Sequence, residues 1–158
     1  MSNDPAPIDA ASGRRDFVSV TVADQLFGIP VLQVQDVLGP QRITRIPLAP
    51  GEVAGSLNLR GRIVTAIDIR TRLRLPARSE GKPAMSVVVD HGGELYSLLV
   101  DGVGEVLSLD GADAERNPAT LDPTWREVSG GIYRLDGVLL VVLDVARILD
   151  LSGRADAA

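Results

Sequence analysis

The chain is 158 residues long, 45% of them are hydrophobic and none is cysteine, so it suits one domain or two very small ones and forms no disulfide or thiolate metal site. Its formal net charge is −5 at pH 7, which argues against a non-specific nucleic-acid binder, since such a protein needs a basic face to displace counterions. Only 3% of the residues are aromatic, so Val, Leu and Ile must fill the core, and that mixture favours strands.

Both ends of the chain are polar, and residues 1–13 and 152–158 are predicted to be disordered tails. The first tail lacks the charged-then-apolar order of a signal peptide. No apolar run approaches the ~18 residues that a membrane span requires. The sequence therefore predicts a cytoplasmic protein with no segment inserted directly into a membrane.

The first third of the chain contains two strand patterns followed by a helical one. Phe17–Val22 alternates with period two and is rich in β-branched residues, and Leu26–Ile29 returns after a turn. From Pro30 onward, apolar residues recur at helical spacing until Gly39, which can end a helix. We therefore expect two strands and then a helix.

A tight β-hairpin is predicted next, with its turn at Arg60 and Gly61, because glycine at the second turn position permits positive φ. After the hairpin, Asp68 is placed to cap a short helix over residues 69–73. A charged segment, residues 76–83, then separates this half of the chain from the second half.

The second half repeats the first. Leu26–Ile29 corresponds to Leu95–Leu98, 69 positions later, and the hairpin recurs 76 positions later with a turn at Gly137 and a helix cap at Asp144. The difference of seven residues is an insertion in the second copy, most simply within residues 108–128. Two copies of a long period indicate a duplication and not a solenoid.

Each copy supplies about five short strands, and a sheet that small exposes bare edges unless it curls closed. The fold class predicted is all-β, mainly strands with short helices. It consists of two pseudo-symmetric SH3-like five-stranded β-barrels packed side by side. Residues 14–79 are predicted to form the first barrel, and residues 80–151 the second barrel with a C-terminal helix. The groove between the two barrels is the predicted docking cleft.

Little in the sequence indicates catalysis. His91 is the only histidine and lies in a predicted hairpin turn, so we interpret it as an exposed turn residue and not as a catalytic base. Asp68 and Asp144 occupy equivalent places in the two copies, which favours helix capping over a pair of catalytic carboxylates. Asp101 before Gly102 is interpreted as a turn residue. We expect no enzyme, no catalytic residue, no cofactor and no metal.

Two other functions, a hydrolase and a nucleic-acid binder, fit the sequence less well. A hydrolase would have to use His91 with an acidic residue, and no serine lies in a nucleophile-elbow pattern. A nucleic-acid binder built on SH3-like barrels would need a stacking platform, and the few aromatic residues do not cluster along the chain. Both are disfavoured relative to a protein-binding module.

The two copies differ most at the hairpin tip. Arg60 in the first copy corresponds to Asp136 in the second, which is a reversal of charge, and Asn58 corresponds to Arg134. A function that belongs to only one copy would explain why exposed residues of the two copies differ. Arg60 is therefore a candidate contact. A set of arginines around it is either a solvated face or the contact for an acidic or helical partner: Arg60, Arg62, Arg70, Arg72, Arg74 and Arg78.

Several motifs, in their order along the chain, resemble the CheW family of bacterial chemotaxis adaptors and the related regulatory domain of the kinase CheA. They are Phe27-Gly28-Ile29, Val34-Gln35-Asp36-Val37, Asn58-Leu59-Arg60-Gly61 and Val100-Asp101-Gly102-Val103. The resemblance covers nearly the whole chain, from about residue 17 to residue 151. It implies SH3-like barrels and a non-catalytic scaffold. That scaffold would couple the cytoplasmic tip of a chemoreceptor to CheA through the regulatory domain of the kinase.

The resemblance also implies a site and a location. The family's receptor groove lies between the barrels, and its contacts map onto Val34, Asp36, Gly55, Arg60, Met85 and Val103. The protein would be cytoplasmic and associated with membrane-bound receptor arrays. The alternative is a CheW-like adaptor of a non-flagellar pathway, such as pilus motility. The chain departs from the family pattern at Ala54, Ala66 and Ser97, which leaves the particular receptor and kinase open.

Overall fold

The computed structural model describes residues 13–79 and 81–151. The tails predicted to be disordered, residues 1–13 and 152–158, lie outside this part of the chain except for Gly13. No helix among the described residues has the length and apolar character needed to cross a membrane.

Ten strands and three short α-helices make up most of the described chain. The strands of the first copy are β1 (Arg14–Val22), β2 (Gln25–Pro30), β3 (Val34–Leu38), β4 (Val53–Leu59) and β5 (Arg62–Asp68). Those of the second copy are β6 (Met85–His91), β7 (Glu94–Val100), β8 (Gly102–Asp110), β9 (Ser129–Leu135) and β10 (Val138–Leu143). The α-helices are α1 (Ile69–Arg72), α2 (Pro123–Val128) and α3 (Val145–Leu149), and 3-10 turns span Val31–Gln33 and Gly111–Asp113.

The strands form two five-stranded sheets that are related by the duplication. Sheet A has the order β8-β1-β2-β10-β9, and sheet B has the order β3-β6-β7-β5-β4. Replacing every strand of sheet A by its counterpart in the other copy gives the order of sheet B. The prediction of a mainly-β fold with two pseudo-symmetric five-stranded units is therefore confirmed.

Each sheet takes strands from both halves of the chain, so the predicted division into one barrel over residues 14–79 and another over 80–151 is wrong. Only the turn Val31–Gln33 separates β2 in sheet A from β3 in sheet B, and only Asp101 separates β7 in sheet B from β8 in sheet A. Parallel pairs, β2 with β10 and β5 with β7, join the two copies within each sheet. At both connections the chain passes directly from one sheet to the other.

Each sheet curls, but neither is a continuous closed barrel. In sheet B a single bridge joins the segment that follows the edge strand β3 to the other edge strand, β4, where the backbone N–H groups and carbonyls of Thr44 and Ser56 exchange hydrogen bonds of 2.8 Å. Glu115 and Ile132 make the equivalent bridge in sheet A at 2.8 and 2.9 Å. The expectation of closed barrels is therefore corrected. Each unit is a curled SH3-like sheet whose curl is held by one bridge within that sheet.

The helix predicted between Pro30 and Gly39 is also wrong. Only Val31–Gln33 is helical, as one 3-10 turn, and β3 then pairs antiparallel with β6, with a bulge between Val34 and Asp36. Pairing with β6 gives the backbone of this valine-rich segment a ladder of hydrogen bonds, which an eight-residue helix, too short to be stable by itself, could not match.

The main hydrophobic core lies between the sheets. It joins fully buried side chains of sheet A, such as Phe27 and Ile29, to fully buried side chains of sheet B, such as Val87, Val89 and Leu98. The interior of the seam that was predicted to be a docking cleft is therefore packed, which leaves only the margin of the seam for a partner. Two smaller cores fill the curls of the sheets: Phe17, Tyr133 and Leu140 in sheet A, and Leu57, Val64, Ala66 and Leu99 in sheet B.

Candidate functional site

The predicted residues Asp36 and Arg60 form an ion pair on the surface of sheet B. Arg60 Nη2 donates to Asp36 Oδ2 at 3.1 Å, with the Arg60 side chain 76% exposed and that of Asp36 28% exposed. Asp36 lies on the edge strand β3, and Arg60 lies at the tip of the β4–β5 hairpin, so the pair joins two edges of the curled sheet. Such an exposed pair contributes at most about 1 kcal/mol to stability, which leaves both charges available to a partner.

The backbone at Arg60 is unusual for its residue type. Its φ of 51° lies in the left-handed region, and Gly61 follows with a φ of 86°. Glycine, asparagine or aspartate adopts this conformation more easily, whereas an ordinary residue there is disfavoured by roughly 1–2 kcal/mol. Strained residues of this kind cluster at binding sites. The hairpin also exposes 70% of Ile63, so the tip presents an apolar side chain beside the charges.

Three predicted contacts are half-buried apolar residues at the border of the main core. Val34 pairs with Val89 and Met85 pairs with Val100, all in sheet B, whereas Val103 lies on β8 of sheet A. Because Val89 and Met85 are four residues apart on β6, about 13 Å of strand separates the levels of Val34 and Met85. The structure therefore brings Asp36 and Arg60 into contact and distributes the three apolar residues along both sheets.

Gly55, the sixth predicted contact, has a structural reason of its own. It lies beside the bridge that closes sheet B, with φ of 151°, and a Cβ there would collide with the Thr44 carbonyl and lie 2.8 Å from Ile43 Cγ2. Gly131 holds the equivalent place in sheet A with φ of 131°. The close approach of two backbone segments accounts for glycine at both positions.

The residues predicted as turns and caps have clear local roles. Asp68 Oδ1 accepts a hydrogen bond from Arg70 N at 3.0 Å, and Asp144 Oδ1 accepts one from Arg147 N at 3.2 Å, so each carboxylate caps a helix. Gly137 has a φ of 82° in the β9–β10 turn. A Cβ on Gly102, which follows the crossover residue Asp101, would lie 3.0 Å from Thr21 Oγ1.

Asp101 is the centre of an ion-pair network that the sequence did not reveal. Arg70 donates to it through Nε at 3.0 Å and Nη2 at 2.7 Å, Arg78 through Nε at 2.8 Å, and the backbone of Ala23 at 2.7 Å. The hydrogen bonds from Arg70 are the main reason that the pKa of Asp101 lies far below its ordinary range. The interpretation of Asp101 as a plain turn residue is therefore too weak, since it ties the β1–β2 turn of sheet A to α1 beside sheet B.

The arginines of the middle of the chain divide into two groups. Arg70 and Arg78 hold Asp101, and Arg72 is 3% exposed and donates to the carbonyls of Ile148 and Arg147 at 3.0 Å. These three are structural. The second group, Arg60, Arg62 and Arg74, is exposed. Within it, Arg60 makes an ion pair, with Asp36, at the hairpin tip.

Metal-ligating residue types and the single histidine are the remaining candidates for chemistry. Within residues 13–79 and 81–151, no three His, Cys, Asp or Glu side chains are grouped as a metal site would require. His91 is exposed at the end of β6. The arrangement can bind partners through charges and apolar side chains.

Comparison with known proteins gives a consistent result. The family model for the CheW-like domain matches residues 16–152. The chemotaxis protein CheW of Klebsiella aerogenes is 30% identical over 135 residues, which cover 85% of this chain and 81% of the relative. The chemotaxis protein CheW of Rhizobium meliloti is 25% identical over 146 residues, covering 92% and 94%. The crystal structure of the scaffolding protein TtCheW from Thermoanaerobacter tengcongensis aligns with a TM-score of 0.78 at 28% identity, covering 88% of this chain and 94% of that one.

Proposed function

The chain belongs to the CheW-like domain family, and on that premise we propose that it is a non-catalytic scaffold coupling chemoreceptor cytoplasmic tips to the histidine kinase CheA. The similar proteins carry the name chemotaxis protein CheW, and the aligned crystal structure is of a scaffolding protein. These names favour a chemotaxis pathway over the alternative of pilus motility or another output. The protein works in the cytoplasm, held at membrane-bound receptor arrays by its partners.

The receptor contact is assigned to the hairpin tip of sheet B. The single observation that carries this assignment is Arg60, which is exposed, has a left-handed backbone and is paired with Asp36 across two sheet edges. Its counterpart in the duplicated hairpin is Asp136, so the charge is not required by the fold. A helical receptor tip would lie along the seam margin, with its apolar face on Val34 and Val103 and an acidic side chain near Arg60.

The kinase contact is assigned to the regulatory domain of CheA, which resembles this chain. A scaffold without catalytic groups can act only by favouring one arrangement of its partners over another. Weak contacts repeated through an array would add by effective concentration. Signal transfer then depends on where the receptor and kinase are held.

The experiment that tests the receptor contact is the substitution Arg60→Asp. Loss of a desolvated charge pair at an interface costs roughly 2–5 kcal/mol, so we expect at least a thirtyfold loss of affinity for an immobilised receptor tip. The matched control is Arg134→Asp, which makes the same charge change at an exposed ion pair of sheet A, with Glu115 at 3.0 Å. Unchanged receptor affinity in Arg60→Asp, with a native thermal unfolding curve, would refute the contact.

A double variant separates the receptor contact from the internal ion pair. Asp36→Arg combined with Arg60→Asp restores an ion pair of reversed direction at the same place. If Arg60 acts by binding the receptor, this variant keeps its stability and still fails to bind. Recovery of receptor binding in the double variant would mean that the internal pair alone matters.

A further inference from the structure

The crossover between β7 and β8 is held from both sheets. Asp101, the one residue between these strands, donates its backbone N–H to the Thr21 carbonyl of β1 at 3.0 Å and accepts the Ala23 N–H on its carboxylate at 2.7 Å. Both partners belong to sheet A or its β1–β2 turn. From the other side, Arg70 of α1, the helix that follows β5 of sheet B, donates to the same carboxylate through Nη2 at 2.7 Å. One side chain therefore fixes the crossover relative to both sheets.

Arg78 completes a network of two guanidinium groups and two carboxylates at this crossover. Its side chain is 14% exposed, its Nε donates to Asp101 Oδ1 at 2.8 Å, and its Nη2 lies 3.7 Å from Asp68 Oδ1. Arg70 Nη1 also donates to the Pro76 carbonyl at 2.8 Å, which holds the backbone two residues before Arg78. Because the network is largely shielded from solvent, salt screens it less than an exposed ion pair.

The equivalent crossover of the other copy is built differently. The 69-residue offset of the duplication places Leu32 where the second copy has Asp101, in the turn between β2 and β3. Leu32 is 97% exposed. The 76-residue offset places Ala146 where the first copy has Arg70. The fold thus makes one crossover with a leucine and an alanine at these places, so passing between the sheets does not itself require the charged network.

The network lies between two of the apolar residues proposed to contact the receptor. Met85 is opposite Val100 in the β6–β7 ladder, directly before Asp101, whereas Val103 follows Asp101 by two residues and is opposite Val20 in the β8–β1 ladder. Met85 and Val103 both pack against the main core, one from sheet B and the other from sheet A. Fixing the crossover therefore fixes where these two side chains stand relative to each other.

We propose that Arg70, Asp101 and Arg78 are positioning residues for the receptor contact, an inference that rests on the proposed function. They hold Met85 and Val103 in the relative position that the apolar face of a helical receptor tip fits, and they touch no receptor atom themselves. A close-packed interior transmits a displacement to its neighbours. Residues that contact no ligand can in this way change an affinity by roughly twofold to thirtyfold.

The variant that tests the positioning role is Arg78→Gln. It should fold, because Asp101 keeps its hydrogen bonds from Arg70 and Ala23. We expect affinity for an immobilised receptor tip to fall by roughly threefold or more, while affinity for the regulatory domain of CheA stays at the wild-type level. Undiminished receptor affinity, or an equal loss towards both partners, would overturn the proposal.

A double-mutant cycle shows whether Arg78 acts through the apolar contact. Residues that act on the same contact give non-additive effects. The loss of receptor affinity caused by Arg78→Gln should therefore be smaller in a chain that already carries Met85→Ala than in the wild type. Full additivity of the two substitutions would contradict a positioning role, since a separate effect of Arg78 would persist without the methionine.

Two further variants separate the ion pair from a general effect of losing an arginine. Arg78→Lys keeps a cationic donor for Asp101 and should bind the receptor tip more tightly than Arg78→Gln. A lysine variant that binds no better than the glutamine variant would count against the ion pair. Arg147→Gln is the matched control, because Arg147 lies 3.6 Å from Asp144, the helix cap of the other copy, and this variant should bind as the wild type does.

The same measurements distinguish this inference from the proposed function. A wild-type chain that does not bind the receptor tip would refute the proposed function and the positioning role together. Wild-type binding that Arg60→Asp abolishes and Arg78→Gln leaves intact would refute the positioning role alone.

Discussion

At the scale of single residues, Asp101 has the most consequential environment in the described chain. Its carboxylate is 22% exposed and receives hydrogen bonds from Arg70, Arg78 and Ala23. The depressed pKa means that the folded protein favours the ionised form. This residue stands at the one-residue crossover between β7 and β8, so its charge stabilises the place where the chain changes sheets.

The first prediction concerns Asp101→Asn. Leaving Arg70, whose side chain is 16% exposed, without its carboxylate should lower the free energy of unfolding by about 2–3 kcal/mol at pH 7. Because the folded-state pKa is below the unfolded value of about 3.9, the contribution of the aspartate is fully present above about pH 5 and declines as the pH falls below about 4. Urea unfolding from pH 7 to pH 2 should show the two proteins converging at low pH. A constant difference across that range would contradict the role of the charge.

The sequence predicts an exposed charge at the hairpin tip, Arg60, but not the ion-pair network of Asp101, and the reason is physical. The hairpin tip is local, because the turn, the charge and the comparison with Asp136 are all visible along the chain. Asp101 gains its partners only through the crossover, which brings Arg70 from 31 residues away. No residue spacing in the sequence predicts that contact.

At the scale of elements, the curl of each sheet is set by one bridge and one glycine. In sheet B the bridge joins Thr44 to Ser56, and Gly55 lets the two backbones approach. In sheet A the same role falls to Glu115, Ile132 and Gly131. The seven-residue insertion predicted within residues 108–128 leaves this closure intact, and α2 (Pro123–Val128) lies in that interval.

The second prediction, at the level of elements, is that Gly55→Ala disrupts the Thr44–Ser56 bridge that closes sheet B. The added methyl group would collide with the Thr44 carbonyl, at a φ that side chains disfavour, so we expect a loss of about 2–4 kcal/mol in unfolding free energy. The control is Gly39→Ala, where a Cβ meets nothing within 4 Å. Thermal unfolding measures both, and equal stability of the two variants would be the contrary result.

The elements also show what local patterns can predict. The β4–β5 hairpin, its turn at Gly61 and the cap at Asp68 follow from residues within a short window, and each was predicted. The segment after Pro30 was predicted as helix because Val31, Val34, Val37 and Leu38 fit a helical period. The strand form of Val34–Leu38 depends on pairing with β6, about 50 residues away. A single sequence does not indicate which strands pair at that distance.

At the scale of the whole molecule, the two copies are intertwined. Each copy gives its first two strands to one sheet and its last three to the other. The repeat predicted two similar units but could not show this exchange, since the order and period of strands along the chain are the same with or without it. The packed seam follows from the exchange, because both crossovers pass between the sheets and bury their flanking residues in one shared core.

The third prediction is that neither half of the chain folds as a monomer, whereas the two halves together restore the fold. Separation at residue 80 leaves the first half without β8–β10 for sheet A and without β6 and β7 for sheet B. Neither half alone should give dispersed amide resonances as a monomer by sedimentation, whereas a 1:1 mixture should restore the spectrum of the intact chain. A folded monomer from either half would contradict the intertwined arrangement.

The measurement that tests the scaffold function most directly is co-sedimentation of CheA with receptor-containing membranes. We expect CheA to enter the pellet in an amount that depends on this protein, and Arg60→Asp to abolish that dependence while the variant still binds the regulatory domain of CheA in solution. The Arg134→Asp control should behave as the wild type. CheA that sediments equally with and without the protein, or with Arg60→Asp as well as with the wild type, would contradict the assignment of this chain as the coupling scaffold through its hairpin tip.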